Sequence, residues 1–187
     1  MATIRKGHRA VLLIVDVQVG VVEDAWEADR IVQNISRAVE KARSQNVPIV
    51  WVQHSGRSLK KDSPQWQLVP ELSPRADEVI IQKNYNSSFE GTNLEETLES
   101  LGATRIILVG AATNWCIRAT AYAALERGYD LTLIADGHTT GDLELEDSIT
   151  VPAEHVTLDL NTIMAWVTYP GRENQVIGVD EIQFEAV

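Results

Sequence analysis

Short, unbroken apolar runs recur along the chain, separated by stretches of helical period or by polar segments, and this rhythm constrains the fold more than any other feature. Residues 10–15 contain no polar side chain, as a strand covered on both faces requires. Between residues 29 and 45, Ile31, Ile35, Ala38, Val39 and Ala42 recur at helical spacing. Pro48 precedes a second apolar run at 49–52. A third short strand is expected at 79–82, a fourth at 105–109 ending on Gly110, and a fifth at 131–135. Thr92-Asn93-Leu94-Glu95 matches a capping box, which predicts a helix from there to about residue 101, closed by Gly102. A further helix is expected at 114–127, closed by Gly128, and a last one starting at Thr150 and Pro152 and running to Val167. Residues 176–179 supply a weaker strand signal. Alternating strands and helices predict right-handed βαβ units. The expected fold is therefore α/β: a three-layer α/β/α, Rossmann-like architecture whose doubly wound, mostly parallel sheet has about six strands. No repeat, low-complexity tract or linker interrupts the pattern, so residues 1–187 are expected to form one domain.

The bulk properties exclude several classes of function. A 44% hydrophobic and 23% charged content is ordinary for a globular domain, and no apolar run approaches the roughly 20 residues that span a bilayer. Residues 1–9 are polar and the apolar run behind them is too short for a signal peptide, so membrane attachment is not expected and a cytoplasmic address is the default expectation. A net charge of −11 repels phosphate backbones and argues against nucleic acid as a partner. Cys116, the one cysteine, excludes an intrachain disulfide and a Cys-rich metal site. A lone thiol, taken alone, is most often core filler.

In doubly wound sheets the functional groups collect beyond the carboxyl ends of the strands. Three such ends carry residues that a core would not select. The first run ends at Asp16, the third at Lys83, and the fourth leads through Gly110-Ala111-Ala112-Thr113-Asn114-Trp115 to Cys116. Singly, each has an ordinary structural reading: Asp16 caps a strand, Lys83 is solvated, Cys116 packs on the sheet. A carboxylate, an ammonium and a thiol on one rim read instead as a site.

Four segments carry a resemblance. They are Leu12-Leu13-Ile14-Val15-Asp16-Val17-Gln18; Lys83 with Ser88-Phe89-Glu90-Gly91-Thr92; Gly110 through Cys116 to Ile117-Arg118-Ala119-Thr120; and Ala135-Asp136-Gly137-His138-Thr139-Thr140. In this order and register the sequence resembles the isochorismatase-like cysteine hydrolase superfamily, which includes nicotinamidases and N-carbamoylsarcosine amidases. The resemblance implies a catalytic triad of Asp16, Lys83 and Cys116, a cis peptide at Ala111-Ala112, and an oxyanion hole made by the backbone N–H groups of Ala112 and Cys116. It also implies a small-molecule substrate, no cofactor, and a homo-oligomer, either dimer or tetramer. A cysteine that starts a helix is expected to have a lowered pKa.

Nicotinamidases of this superfamily carry a metal site built from an Asp-x-His pair and a further histidine after the second strand. Here that segment holds His54 and Asp62 and no second histidine, so no metal is expected. Asn114 replaces an acidic residue of the nicotinamidases. True isochorismate hydrolases cleave a vinyl ether, and several lack the cysteine. Cys116 therefore favours attack on the acyl carbon of a C–N bond, with vinyl ether hydrolysis the second reading. A non-catalytic binding or redox-sensing module is the third. Candidate pocket residues are Gln18, Trp26, His54, Phe89 and Trp115, framed by loops 19–28 and 54–75. Trp51 and Trp166, within apolar patterns, are assigned to packing. Trp66 is expected to serve as a lid or oligomer contact, and Arg118 to lie on a helix surface or at a subunit contact.

Overall fold

Strand β1 (Arg9–Val15) has six of its seven residues buried, as expected of the centre of a sheet. The structure, a computed structural model, describes residues 4–146 and 149–184. After β1 come helices α1 (Val19–Val22) and α2 (Ala28–Ser44), strand β2 (Ile49–His54), a 3-10 turn (Pro64–Trp66), β3 (Val79–Lys83) and α3 (Leu94–Ser100). Then follow β4 (Ala103–Ala111), a π-helical turn (Thr113–Ile117), α4 (Arg118–Glu126) and β5 (Asp130–Thr139). A two-stranded antiparallel ribbon, β6 (Leu143–Glu144) and β7 (Thr150–Val151), precedes α5 (Ala153–Trp166), β8 (Asn174–Ile177) and a 3-10 turn (Val179–Glu181).

The sheet order is β3-β2-β1-β4-β5-β8, and every pairing is parallel. From β1 the chain moves out to β2 and β3, then returns to the other side of β1 with β4. The carboxyl ends of β1 and β4 therefore form the switch point where such sheets open a crevice. Alternate residues of β1 face opposite layers. Val11, Leu13 and Val15 pack with Leu94 and Leu98 of α3, Ala121 and Leu125 of α4, and Leu160 and Met164 of α5. Leu12 and Ile14 pack with Ile31, Ile35, Ala38 and Ala42 of α2 and with Trp51. These two cores, one on each side of the sheet, make the three layers expected.

The structure departs from the sequence reading in several places. The capping box does not form: Asn93 makes no side-chain cap bond, and Glu95 turns instead to Arg5 and Arg127. Thr92 does accept from the Leu94 N–H at 3.3 Å, and Gly102 takes the left-handed conformation (φ 67°) that ends the helix. The helix expected at 114–127 begins as a π turn, and Thr150 belongs to the ribbon rather than to α5. The last strand lies two residues earlier than expected. Trp51 is buried, but Trp166 is 82% exposed, which corrects its assignment to packing: it is the final residue of α5, two positions past the core residue Met164 and so on the opposite face of the helix. Trp66 is buried and its Nε1 donates to Ser55 Oγ at 2.9 Å, so it anchors its loop.

Candidate active site

Asp16 directly follows β1 and has φ of 52°, a left-handed conformation that Asp tolerates better than most residues. Its N–H donates to the Val52 carbonyl at 2.9 Å, tying it to β2. Lys83 ends β3, in register with His54. It lies two strands from β1, about 10 Å at sheet spacing, and a long cationic side chain can cross that gap. Lys83 Nζ donates to Asp16 Oδ2 at 2.6 Å, to the Tyr85 carbonyl at 3.1 Å and to Cys116 Sγ at 3.1 Å, and lies 3.4 Å from His54 Nδ1. Four neighbours thus surround an ammonium that has three protons. Both charged side chains are sealed from water, at 0% and 1% exposure, so each depends on the other for stabilisation. Asp16 Oδ1 is buried and has no hydrogen-bond partner.

Cys116 is delivered by the end of β4. Gly110 lies opposite Val15 with φ of 129°, and a Cβ there would stand 2.0 Å from the Val15 carbonyl oxygen. Only glycine lets β4 pass that close to the residue before Asp16. The Ala111–Ala112 peptide is cis. The π turn follows, and its Trp115 and Ile117 N–H groups both donate to the Ala112 carbonyl, at 3.0 and 3.2 Å.

Burial raises the pKa of Asp16, and the Lys83 ammonium opposes this without cancelling it. The Cys116 thiol is pushed up to about 12, first by burial and then by the Asp16 carboxylate, with Lys83 pulling the other way. The lowered thiol pKa expected from a helix start is therefore overturned. The sulfur sits inside a π turn, buried and beside a carboxylate, and these influences outweigh a helix dipole. Burial also lowers the pKa of His54, helped by Lys83 and opposed by Asp16. Asp16, His54 and Cys116 each offer a possible metal ligand, the three atoms lying within 4.8 Å of one another. Lys83 Nζ touches all three residues, and its positive charge occupies the space between them.

The candidate pocket residues separate on inspection. His54 is half-buried at the site, and Trp115 stands beside Cys116 at 55% exposure. Trp26 is half-buried and docks on the end of β5, its N–H donating to the Thr140 carbonyl at 2.9 Å. Gln18 is wholly buried, and its amide is already engaged. It accepts from the His54 N–H at 2.8 Å and donates to the His54 and Trp66 carbonyls at 3.1 and 2.7 Å. Gln18 therefore holds the backbone of His54 and has no free amide group to offer a substrate. Phe89 is buried and stacks with Tyr129, their centroids 6.1 Å apart, under the Arg127 guanidinium, so it belongs to the core. Loops 19–28 and 54–75 are joined, Val19 N–H donating to Gln67 O at 2.9 Å. Arg118 pairs with Asp159 of α5. Sequence reasoning missed Tyr85, whose carbonyl receives Lys83 and whose side chain is 59% exposed. It also gave no role to Thr113, His138 and Asn161, of which only Asn161 lay outside the quoted motifs. A cavity of about 330 Å³, lined by Arg105, Asp130, Leu131 and Glu173 among others, lies at the opposite, amino ends of β4 and β5.

Residues 10–160 match the family model described as the isochorismatase domain. The chain belongs to the isochorismatase family. It is 34% identical over 143 residues to a secreted isochorismatase effector of Verticillium dahliae, covering 73% of this chain and 74% of that protein. It is 32% identical over 151 residues to a streptothricin hydrolase of Streptomyces noursei, covering 76% of this chain but only 60% of that longer relative. A 211-residue alignment gives 25% identity to a ureidoacrylate amidohydrolase of Methylobacterium radiotolerans, covering 90% of this chain and 79% of the relative. Among solved structures, an isochorismatase from Pseudomonas putida superposes with a TM-score of 0.84 at 28% identity, covering 94% of this chain and 90% of the other. The chain is an enzyme of this hydrolase family. No helix among the described residues is long and apolar enough to cross a membrane.

Proposed function

We propose that the protein hydrolyses a C–N bond of amide type in a small molecule, without a metal or cofactor, through a thioester on Cys116. The observation that carries this reading is the contact of one buried ammonium with both a carboxylate and the thiol, Lys83 Nζ lying 2.6 Å from Asp16 Oδ2 and 3.1 Å from Cys116 Sγ. The thiol is neutral at rest, so it must lose its proton as it attacks. Asp16 Oδ1, buried and unpartnered, is the acceptor for that proton, and its raised pKa improves it as a base near neutrality. Sulfur then bonds to the acyl carbon and the carbonyl electrons move to oxygen, where the N–H groups of Ala112 and Cys116 receive them. The tetrahedral species collapses as Asp16 returns the proton to the leaving nitrogen and the C–N bond breaks. Asp16 next takes a proton from water, whose oxygen attacks the thioester. The C–S bond breaks, and the proton goes back to sulfur. Lys83 keeps Asp16 oriented and balances the charge that develops. The amidohydrolase among the relatives supports acyl chemistry on nitrogen.

Vinyl ether hydrolysis is the second reading, favoured by one observation: a buried carboxyl group with a raised pKa can deliver a proton without help from the thiol. A redox-sensing role is disfavoured, because Cys116 is only 8% exposed and its thiol is held neutral.

The deciding experiment offers small primary amides, ureido compounds and cyclic imides to the parent and to Cys116→Ala, following ammonia release or ring opening. Turnover by the parent that falls at least ~1000-fold in Cys116→Ala is the expected result. Cys116→Ala as active as the parent would sink the thioester scheme and leave proton delivery by Asp16.

The same reading takes the chain as one domain, because both cores share one sheet. It is taken to work as a homo-oligomer: Leu158 and Trp166 of α5 stand 62% and 82% exposed on a helix side whose charged pair, Arg118–Asp159, is already neutralised. A working thiol also calls for a reducing compartment such as the cytoplasm. One relative is a secreted effector, so fractionation of the native host is the test of that address.

A further inference from the structure

Behind the cysteine turn lies a second set of hydrogen bonds that takes no part in the proton transfers above. His138 is 0% exposed and sits on β5 where that strand, after a bulge, pairs with Gly110 of β4. Its Nδ1 lies 2.8 Å from Thr113 Oγ1, and its Nε2 lies 2.9 Å from Asn161 Oδ1 of α5. Asn161 Nδ2 in turn donates to the Ala135 carbonyl at 3.1 Å.

The polarity of this chain of bonds follows from its far end. A carbonyl only accepts, so the Asn161 NH2 faces Ala135 and its oxygen faces the imidazole. That oxygen also only accepts, so the ring proton is on Nε2. Nδ1 is then bare and accepts from the Thr113 hydroxyl. One state of the ring, the neutral Nε2–H tautomer, satisfies all three links as they stand. Protonation at Nδ1 would reverse the Thr113 bond.

Thr113 is the first residue of the π turn that carries Cys116, and it follows the Ala111–Ala112 peptide by one position. His138 therefore connects the cysteine turn, α5 and β5 through oriented bonds inside the core. We propose that His138 is a positioning residue for the nucleophile: through the Thr113 hydroxyl it sets the turn that presents Cys116 Sγ to Asp16 and Lys83. The inference rests on the reading of Cys116 as nucleophile. Burial agrees with it, holding the imidazole pKa down at about 4 and so keeping the ring neutral near pH 7; Asn161 and the nearby Asp136 oppose that shift.

The first test needs no substrate and no variant. Nitrogen-15 NMR of the histidine-labelled full chain at pH 7 should give His138 as the neutral Nε2–H tautomer, and an Nδ1–H tautomer or an imidazolium would overturn the proposal. The second uses Thr113→Val, which keeps the shape and removes the hydroxyl, beside Thr113→Ser, which keeps the hydroxyl. Freed from its place against Asp16, the thiol of Thr113→Val should react with iodoacetamide at pH 8 at least ~10-fold faster than the parent's, while Thr113→Ser reacts at the parent's rate. With an amide that the parent hydrolyses, kcat of Thr113→Val should fall ~10- to 100-fold at unchanged KM, and Thr113→Ser should restore it. Alkylation of Thr113→Val at the parent's rate overturns the inference. A parent that hydrolyses no amide would count against the amidase reading alone, because the NMR and alkylation results decide the role of His138 without it.

Discussion

Two opposed influences act on the Cys116 thiol, and their balance makes an unusual forecast. The Asp16 carboxylate, proposed to accept the thiol proton, is also a cause of that thiol's raised pKa. Asp16→Asn should therefore lower turnover by at least ~100-fold while making the thiol more acidic. Iodoacetamide alkylation of Cys116 at pH 8 should become faster in this variant as catalysis disappears. Lys83 gives the complementary result. Its side chain is sealed from water against Asp16, so Lys83→Met strands a buried carboxylate and should cost about 3 kcal/mol in urea unfolding. Removing both charges, in Asp16→Asn with Lys83→Met, should recover much of that loss. That the three side chains converge was legible in the sequence, because each stands at, or is led out from, the end of a neighbouring strand. What was not legible was which way their neighbours face. Gln18 and Phe89 lie near Asp16 and Lys83 in sequence, yet one is engaged by backbone groups and the other is stacked on Tyr129. Those outcomes depend on the path of the loop at 54–75 and on helix packing, which periodicity does not encode.

The strands and helices were readable where period and length agreed, as in β1, α2 and β2, and less so where local chemistry competed. Glu95 suits a capping box, but two arginines distant in sequence claimed it. The turn that holds Cys116 looked like the start of an α-helix because its residues are compatible with one; in the structure it widens into a π turn over the Ala112 carbonyl. At Gly110 a contact between elements sets the residue type. Gly110→Ala places a methyl group 2.0 Å from the Val15 carbonyl, so it should force β4 away from β1, lower the unfolding midpoint and abolish turnover together. On β5, burial of His138 makes stability depend on pH with a definite sign. Its pKa is about 4 in the folded protein, below the usual 6.5, so the unfolded chain binds the extra proton. Its contribution is fully present above about pH 6.5 and is lost as pH falls towards 4, an expected decline of ~3 kcal/mol visible in urea midpoints measured across that range. Replacing His138 by a residue that does not titrate should flatten this part of the profile.

On the scale of the molecule, acidity and the exposed side of α5 pull against each other. A net charge of −11 keeps copies apart, and the side that holds Leu158 and Trp166 is where apolar surface could bring them together. Trp166→Glu should shift the sedimenting species to the monomer, and a parent that already sediments as a monomer would remove the oligomer from the functional reading. The sheet order has a different consequence, one that concerns time. Asp16, Lys83 and Cys116 come from the residue after β1, from the edge strand β3 and from the turn after β4, with sequence separations of 67 and 33 between the members of each contact. No local segment holds two of them, and parallel strands cannot pair until a crossover has closed. The reactive centre is therefore assembled only when three non-local strand pairings exist at once. After dilution from denaturant, catalysis should return more slowly than helical circular dichroism, which makes enzymatic recovery a clock for completion of the sheet.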